Sequence, residues 1–288
     1  MSERFVQIRI ATLGLLFLAV LVVWWPAAIA AGPANEYLTV RFLDVGQGDA
    51  IHIITPDGYE LLIDGGPSAV VLRQLAVDRS FFDHYIDVMV ATHPDTDHVA
   101  GLVDVLERYE VGMLIETAAE HDAPAAVAYG NAARAEGARI ITAQAGQVVQ
   151  LGASTTVRIL SPHGDATNWR SNVASVIVQV QYGEVAFMLT GDAPSSIEEY
   201  LAGAYGAGLK SQVLKLGHHG SDTSSSEVFL EAVQPQYAVV SAGKDNRYGH
   251  PKGEVLSRAR GMGTEIVSTA ERGTITFHSD GSTVWLIE

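Results

Sequence analysis

The segment ATHPDTDHVAG places His93, Asp95, Asp97 and His98 within six consecutive positions, directly after an apolar run. The apolar run at residues 86–92 predicts a buried strand. The polar cluster therefore falls in the loop at the carboxyl end of that strand, where rigid scaffolds carry functional groups. Alternate residues of an extended loop project to related sides, and a helical turn that begins near Asp97 brings His98 back toward them. The fold is expected to gather these four side chains around one small space.

Carboxylates this close together repel each other, and a divalent cation among them removes the conflict. The alternative is an ordinary helix start, in which Asp97 caps the helix and the histidines lie on the surface. The rest of the chain favours the metal, because three further segments, LLIDGGP, FMLTGDA and VLKLGHHGS, place ligand-type residues at strand ends: Asp64, Asp192, His218 and His219. The chain contains no cysteine, so histidine and carboxylate are the available ligands.

Short apolar runs alternate with helical patterns from residue 38 onward. Runs at residues 38–43, 50–55 and 60–63 are joined by tight turns and predict an antiparallel meander. In the second half, SVIVQVQY alternates with a period of two and EVAFMLTGD follows as its hairpin partner. Farther on, Ser224 and Glu227 form a capping-box pattern at the start of a helix. Two meanders, each followed by helices, predict an α/β fold with two stacked sheets and helices on both outer faces.

The first 33 residues differ from the rest in composition, since no charged side chain occurs between residues 10 and 35. The segment is long enough to span about 30 Å of hydrocarbon, and its Trp-Trp pair suits a membrane interface. Its Ala-Ile-Ala sequence also suits a signal peptidase. We therefore expect residues 1–33 to be a signal peptide or a single membrane anchor. Either alternative places residues 34–288 outside the cytoplasm, as a periplasmic or extracellular protein or one anchored to the inner membrane.

The charge of the chain limits how it can meet nucleic acid. Lys and Arg total 18 against 33 Asp and Glu, which gives a formal charge of -15. A broad basic surface is therefore absent on average, which argues against a high-affinity DNA coat protein or repressor. An enzyme that meets phosphates only in a metal-centred cleft is still compatible with this charge, because the ions supply positive charge there.

The combined motifs resemble the metallo-β-lactamase fold family. The loop His-x-His-x-Asp-His of that family is matched by HPDTDH, with Asp95 where the second histidine usually stands. The ordered set LDVGQGDA, LIDGG, THPDTDHVAGL, LTGDA, LKLGHHGSDTSSS and NRYGHP is similar to the hydrolase domain of ComEC-type competence proteins and their free-standing relatives. The resemblance implies a four-layer αββα sandwich, with residues 34–288 as a hydrolase domain.

The resemblance also implies two divalent metal ions, with zinc and manganese as rival candidates. Six residues match the ligand positions: His93, Asp95, Asp97, His98, Asp192 and His219. Asp192 would bridge the two ions, and Asp64 would support the site from behind. The histidine that the family carries in its third motif is missing, and Asn172 and Ser175 stand nearest to its place, with His163 as a less favoured substitute. One metal site is therefore poorly furnished, and an extra water, weak binding or filling only with substrate are open alternatives.

The resemblance and the ligand chemistry together imply hydrolysis by a metal-activated hydroxide, because coordination lowers the pKa of water from 15.7 to about 7 in favourable cases. The preferred function is a phosphodiesterase or nuclease that acts on DNA outside the cytoplasm. One alternative is a hydrolase of lactones, β-lactams or other small esters. Another is a catalytically inactive metal-binding or scaffold protein. The oligomeric state is open, and the membrane is met only through the N-terminal segment.

The remaining polar residues are assigned by their motifs. Catalytic roles go to Asp97, His218 and His250, and substrate-binding roles to Lys215, Lys244 and Arg247. In this assignment Arg247 or Lys244 binds the phosphate and His250 protonates the leaving oxygen; ordinary surface-turn chemistry is the alternative. Supporting positions around the metal site are assigned to Gln47, Asp49, Asp64, Asn172 and Ser175.

Overall fold

The computed structural model describes residues 36–77 and 83–287, in which fifteen strands form two sheets. The strands of the first sheet are β1 (Leu38–Phe42), β2 (Ile51–Ile54), β3 (Glu60–Ile63), β4 (Tyr85–Ala91), β5 (Glu110–Glu116), β6 (Arg139–Thr142), β14 (Ile275–Ser279) and β15 (Val284–Ile287). Those of the second sheet are β7 (Val148–Leu151), β8 (Thr155–Ser161), β9 (Ile177–Tyr182), β10 (Val185–Leu189), β11 (Val213–Lys215), β12 (Tyr237–Val240) and β13 (Glu265–Ser268). Their spatial orders are β15-β14-β1-β2-β3-β4-β5-β6 and β13-β12-β11-β10-β9-β8-β7.

Helices cover the outer face of each sheet. The helices packed on the first sheet are α1 (Val70–Leu75), α2 (Thr96–Leu106) and α3 (Pro124–Glu136). Those packed on the second sheet are α4 (Ser195–Tyr205), α5 (Glu227–Val233) and α6 (Gly253–Gly261), while the short α7 (Thr269–Arg272) links β13 to β14. The predicted four-layer αββα sandwich is confirmed.

The hydrophobic core between the sheets follows from the two-residue period of the strands. In β3, Leu61 and Ile63 face the second sheet, whereas Leu62 between them faces the helices. At the centre of the core, the ring of Phe277 meets Phe42 and Phe187 edge-on, with centroids 6.0 and 6.3 Å apart. Both faces of the central strands are therefore buried, which explains their nearly continuous apolar sequences.

Two features differ from the sequence-based expectations. The predicted capping box at Ser224 is wrong, because α5 begins two residues later, with Ser226 as the residue that accepts a hydrogen bond from the backbone N–H of Phe229. The hydroxyl of Ser224 instead donates to the carbonyl of Ala193. The strands β6, β7 and β8 have no counterpart in the sequence-based expectations; β6 and β7 are four-residue strands, each at one edge of its sheet, and most of their residues are not buried.

The signal peptide or membrane anchor expected at residues 1–33 lies outside the described residues. Within residues 36–77 and 83–287, none of the helices combines the length and the hydrophobicity that crossing a bilayer requires. The described part of the chain belongs to one compact unit, which begins at Glu36.

Candidate metal centre

The candidate metal centre lies where parallel strands of both sheets end. β3, β4 and β5 are parallel neighbours in the first sheet, and β10, β11 and β12 are parallel neighbours in the second. Asp64 directly follows β3 and His93 lies just beyond β4, while Asp192 follows β10 and His219 follows β11. Since the carboxyl ends of parallel neighbours share one edge of a sheet, residues far apart in sequence meet there.

The imidazoles of three predicted ligands converge on the carboxylate of Asp192. The Nε2 atoms of His98 and His219 each lie 3.4 Å from an oxygen of Asp192, and Nε2 of His93 lies 3.8 Å from it. Oδ2 of Asp97 lies 3.4 Å from Nε2 of His219. Two triplets, His93-His98-Asp192 and Asp97-His98-His219, each bring their ligand atoms within 4.8 Å of one another. Five of the six predicted ligands therefore occur in groups with the size of a metal site.

The hydrogen bonding of the histidines fits a bound cation. Among the described residues, the buried Nε2 atoms of His93, His98 and His219 have no hydrogen-bond partner. A buried nitrogen without a partner costs free energy in a folded protein. Divalent metal ions bound at these atoms, one beside His93 and one beside His98 and His219, would give every one of them a partner, so the residues present fit the divalent metal that the sequence implies.

The other ring nitrogen of each histidine fixes the tautomer. Nδ1 of His219 donates to the carbonyl of Ser241 at 2.8 Å, and Nδ1 of His98 donates to Asp64 at 2.8 Å. Nδ1 of His93 lies 2.9 Å from the hydroxyl of Thr92, which gives its own hydrogen to Asp64 and therefore accepts from the histidine. In the neutral form of each ring the lone pair is therefore on Nε2, as metal-binding histidines require.

Burial and neighbouring charges act in opposite directions on these side chains. Burial, assisted by the positive charge of His98, lowers the pKa of His93 to about 3. Burial also favours neutral His98 and His219, but the carboxylate of Asp192 and its neighbours outweigh it and raise the pKa of both histidines well above 6.5. Burial alone would raise the pKa of Asp192, yet His219, His98 and Lys215 hold it well below 3.8. A cation that binds here would therefore displace protons from histidine.

Asp64 and Asp49 support the ligands from behind. The fully buried Asp64 accepts hydrogen bonds from the backbone N–H of Thr92 at 2.8 Å, from its hydroxyl at 2.7 Å and from His98. Oδ1 of Asp49 lies 3.4 Å from Nδ1 of His219. Its neighbour Gly48 has a φ of +130°, and an added Cβ there would lie 2.1 Å from the carbonyl oxygen of Asp97. Gly48, the second glycine in DVGQGD, thus permits the loop that contains this motif to pack against the start of α2.

The structure corrects the assignment of Lys215 to the substrate. Its side chain is fully buried, and Nζ forms an ion pair with Asp49, donates to the carbonyl of Gly191 at 2.8 Å and lies 3.5 Å from Oδ1 of Asp192. Burial would lower the pKa of Lys215, but Asp49 and Asp192 raise it, so the ammonium stays charged. Lys215 is a buried counterion of Asp49, next to the candidate ligand Asp192, a role that the sequence pattern did not reveal.

The poorly furnished side of the centre contains Asp95 and Ser175. Asp95 accepts a hydrogen bond from the hydroxyl of Ser171 at 2.5 Å, and its other oxygen lies 3.8 Å from Nε2 of His93. The hydroxyl of Ser175 accepts from the backbone N–H of Asp192 at 3.3 Å. Asn172 lies in the short 3-10 helix that precedes Ser175, and no contact places its side chain at the centre. This side therefore offers fewer nitrogen ligands than the other.

His163 does not replace the missing histidine. Its ring stacks on Tyr200 with centroids 3.9 Å apart and meets Trp169 edge-on at 5.3 Å. It belongs to none of the ligand groups found among the described residues. The less favoured expectation that His163 fills the gap is therefore wrong.

His218 and His250 form a bridge from the centre to the surface. Nε2 of His218 lies 3.6 Å from Oδ2 of Asp192, and its Nδ1 lies 3.1 Å from the hydroxyl of Thr223. The ring centroids of His218 and His250 are 5.7 Å apart. Burial makes the largest contribution to the lowered pKa of each of these two histidines, and nearby positive charges lower it further.

A cavity of about 400 Å³ lies beside Asp97 and is lined by Gln47, Pro67, Thr96, Asp97, Asn246, Arg247 and Tyr248. Arg247 thus lines the same cavity as Asp97, which is the one predicted ligand in its wall. Gln47 also lines the cavity, and its Oε1 accepts from the backbone N–H of Gly243 at 3.1 Å. Lys244 is exposed on the same loop but does not line this cavity.

Residues 43–244 match the family described as the Metallo-beta-lactamase superfamily. The chain belongs to this superfamily. It is also 34% identical over 263 residues to "Competence protein ComA" of Neisseria gonorrhoeae, an alignment that covers 91% of this chain and 35% of that protein. It is 28% identical over 255 residues to "ComE operon protein 3" of Bacillus subtilis, covering 83% of this chain and 32% of the relative. The resemblance to ComEC-type proteins is confirmed, and this superfamily member spans about a third of the length of those relatives.

Solved structures agree on the fold. Igni18, a metallo hydrolase from Ignicoccus hospitalis, superposes with a TM-score of 0.52 at 16% identity, over 83% of this chain and 98% of that one. CmlA, a diiron beta-hydroxylase from Streptomyces venezuelae, gives a TM-score of 0.53 at 16% identity, over 81% and 52% of the two chains. Because one fold carries both reactions, function has to be argued from the site. Superfamily, relatives and ligand geometry together define a metal-dependent hydrolase.

Proposed function

We propose that this metal-dependent hydrolase is a phosphodiesterase that cleaves nucleic acid, with DNA as its substrate. The observation that supports this most is the position of Arg247 in the wall of the cavity that Asp97 also lines. A guanidinium binds phosphate oxygens in a fork geometry. A phosphodiester held by Arg247 would lie beside the candidate ligands, in a chain whose net charge of -15 gives it no broad basic surface.

The ligands divide into two sets of unequal strength. One ion would be bound by Asp97, His98, Asp192 and His219, and the other by His93, Asp95 and Asp192. When bound, the metal supplies Lewis acidity and lowers the pKa of a coordinated water from 15.7 to about 7. The mixture of imidazole and carboxylate ligands suits zinc or manganese. We expect weaker binding at the second set, because Asp95 is shared with Ser171 and Ser175 stands where a histidine would add a ligand.

The residues on the substrate side have separate tasks. Arg247 orients the phosphate, and His250 gives a proton to the leaving oxygen. Burial lowers the pKa of His250 in the free chain, but a bound phosphodiester anion next to the ring favours its protonated form. His218, between His250 and Asp192, holds the leaving-group side of the cleft in place through its contact with Thr223.

The proposal is tested with the purified full chain, stripped of metal and then given Zn²⁺ or Mn²⁺. We expect hydrolysis of bis(p-nitrophenyl) phosphate and of single-stranded DNA, and no hydrolysis of a lactone or a β-lactam. Asp97→Ala should reduce turnover about 100-fold or more, since it removes a candidate ligand. Exclusive activity on lactones would instead support a small-ester hydrolase. Metal binding without any turnover would support a scaffold protein.

The proposed location is outside the cytoplasm, either free or anchored to the inner membrane. It is supported by the uncharged segment between residues 10 and 35 and by the similarity to a relative that is named a competence protein. Alkaline phosphatase fused to the carboxyl end of the full chain provides the test, because that reporter needs its disulfides and these form only after export. An inactive fusion that accumulates in the cytoplasm would contradict the proposed location.

A further inference from the structure

The loop formed by residues 243–252 is rigidly built around one amide. Nδ2 of Asn246 donates to the carbonyls of Gly243 at 2.9 Å and of His250 at 2.6 Å. Its Oδ1 accepts from the backbone N–H groups of Tyr248 at 3.2 Å and of His250 at 3.1 Å. Lys252 closes the loop by donating to the carbonyl of Tyr248. A loop held by this many bonds presents the side chains of residues 247 and 248 in a fixed place.

Tyr248 is left exposed at the tip of this loop. Its side chain is 47% exposed and lines the cavity beside Asp97. Nη2 of Arg247 donates to its hydroxyl at 2.7 Å, which orients the ring and the guanidinium together. The apolar surface of an exposed aromatic ring is in contact with water, and covering that surface is favourable. Because the ring is held in a fixed position, a ligand can cover it without first having to order it.

Aromatic rings continue from Tyr248 to the ligands of the candidate metal centre. The rings of Tyr248 and His250 are nearly parallel, at 10° with centroids 6.0 Å apart, and the ring of His218 follows at 5.7 Å from His250. His218 in turn lies 3.6 Å from Asp192. Two imidazole rings, those of His250 and His218, thus separate Tyr248 from Asp192. A ligand whose phosphate lies near the candidate metal ligands could therefore place a neighbouring group on the ring of Tyr248.

We propose that Tyr248 is a stacking platform for an unpaired nucleobase next to the scissile phosphate, with Arg247 on the phosphate that joins the two. This inference rests on the phosphodiesterase function proposed above and adds its specificity. The net charge of -15 makes a long electrostatic contact with the backbone unfavourable, so affinity has to come from local contacts such as stacking. A base in a duplex has both faces covered by its neighbours. Stacking on Tyr248 therefore selects single strands or strand ends.

Two ligands that a phosphodiesterase does not hydrolyse test the platform by calorimetry on the full, metal-loaded chain. Thymidine 5′-monophosphate carries a base, and 2-deoxyribose 5-phosphate does not. The wild-type chain should bind the first at least about fivefold more tightly, the lower end of what base stacking contributes. Tyr248→Phe should keep this ratio, because it retains the ring. Tyr248→Ala should bring the ratio close to one, because only the nucleotide loses a stacking partner, whereas the lost hydrogen bond to Arg247 affects both ligands alike.

Tyr200→Ala is the matched control, because Tyr200 is 48% exposed and stacks on His163 instead of lining this cavity. Its ratio should equal that of the wild type. A chain that cleaves phosphodiesters but shows a ratio of one, or keeps its ratio in Tyr248→Ala, overturns the platform alone. A chain that cleaves no phosphodiester and binds neither ligand overturns the proposed function and the platform together.

Discussion

His98 donates the hydrogen on its Nδ1 to Oδ2 of Asp64 across 2.8 Å, and both side chains are fully buried. The two residues come from different elements, since Asp64 follows β3 and His98 lies in the first turn of α2. The carboxylate determines which nitrogen of the imidazole carries the hydrogen. Nε2 is thereby left as the atom that faces Asp192, at 3.4 Å. We therefore expect metal affinity at this centre to depend on Asp64, although Asp64 is not one of the six predicted ligands.

Asp64→Asn should weaken metal binding about 10- to 100-fold, the usual effect of losing such a partner. In this variant an amide nitrogen replaces Oδ2, and it donates a hydrogen bond to Nδ1 of His98 instead of accepting one. It therefore favours the tautomer of His98 that carries its hydrogen on Nε2. The measurement is a metal titration against a competing chelator. Asp122→Asn is the control, because the side chain of Asp122 is fully exposed. Unchanged metal affinity in Asp64→Asn would show that His98 does not bind the metal through Nε2.

Lys215→Met should lower the free energy of unfolding by about 3–5 kcal/mol, as is typical when one partner of a buried ion pair is removed. The methionine fills the space of the lysine stem but leaves the carboxylate of Asp49 without its counterion. Urea unfolding in chelator-containing buffer measures the loss. The double variant Lys215→Met/Asp49→Asn should regain part of it. Strictly additive losses would contradict the pairing.

Glu198 should make stability depend on pH. Burial raises its pKa from 4.5 to about 7, and the backbone N–H groups of Ser225 and Ser226 and the charge of Arg258 only partly oppose this. Between these two pH values the folded chain keeps a proton that the unfolded chain releases. Stability contributed by Glu198 is therefore present at low pH and is lost as the pH rises through about 7, by about 3 kcal/mol at most.

The comparison with Glu198→Gln isolates this contribution, because glutamine does not titrate. From about pH 5 to about pH 8, the free energy of unfolding of the wild-type chain should fall relative to that of the variant. Thermal or urea unfolding at several pH values provides the data. Parallel pH profiles for the two proteins would show that Glu198 has the same proton affinity in the folded and unfolded chain.

The layers of the fold were predictable because their cause is local. A two-residue period needs one buried face, and SVIVQVQY and EVAFML indeed pair as the antiparallel β9 and β10. The edge strands were not predictable in this way. In β6, Arg139, Ile140 and Thr142 are all exposed, so the sequence there carries no apolar alternation that would distinguish a strand from a loop.

The convergence of the candidate metal ligands was predictable, because each follows closely after a strand and the carboxyl ends of parallel strands meet at one edge of a sheet. The position of the Lys215 side chain was not predictable. All three residues of β11 are buried, so the alternation of polar and apolar residues does not show which way the side chain points. The role of Thr92 depends on tertiary contacts with Asp64 and His93 that no spacing encodes. Tyr248 was not predictable, because the sequence of an exposed turn does not show that a cavity lies beside its tyrosine.

His250→Ala should slow DNA cleavage about 100-fold or more, the usual effect of removing a general acid. Its metal content should not change, because His250 belongs to none of the ligand groups among the described residues. The leaving group discriminates further. Nitrophenolate leaves without a proton, whereas the alkoxide of DNA needs one, so turnover of bis(p-nitrophenyl) phosphate should be almost unaffected.

His163→Ala is the matched control for this variant, because His163 packs against Trp169 and Tyr200 away from the ligand groups. It should keep both activities and its full metal content. Equal losses on both substrates in His250→Ala would mean that His250 positions the phosphodiester and does not protonate the leaving oxygen. Loss of metal from His250→Ala would make His250 a ligand instead, because a proton donor can be removed without disturbing the cation.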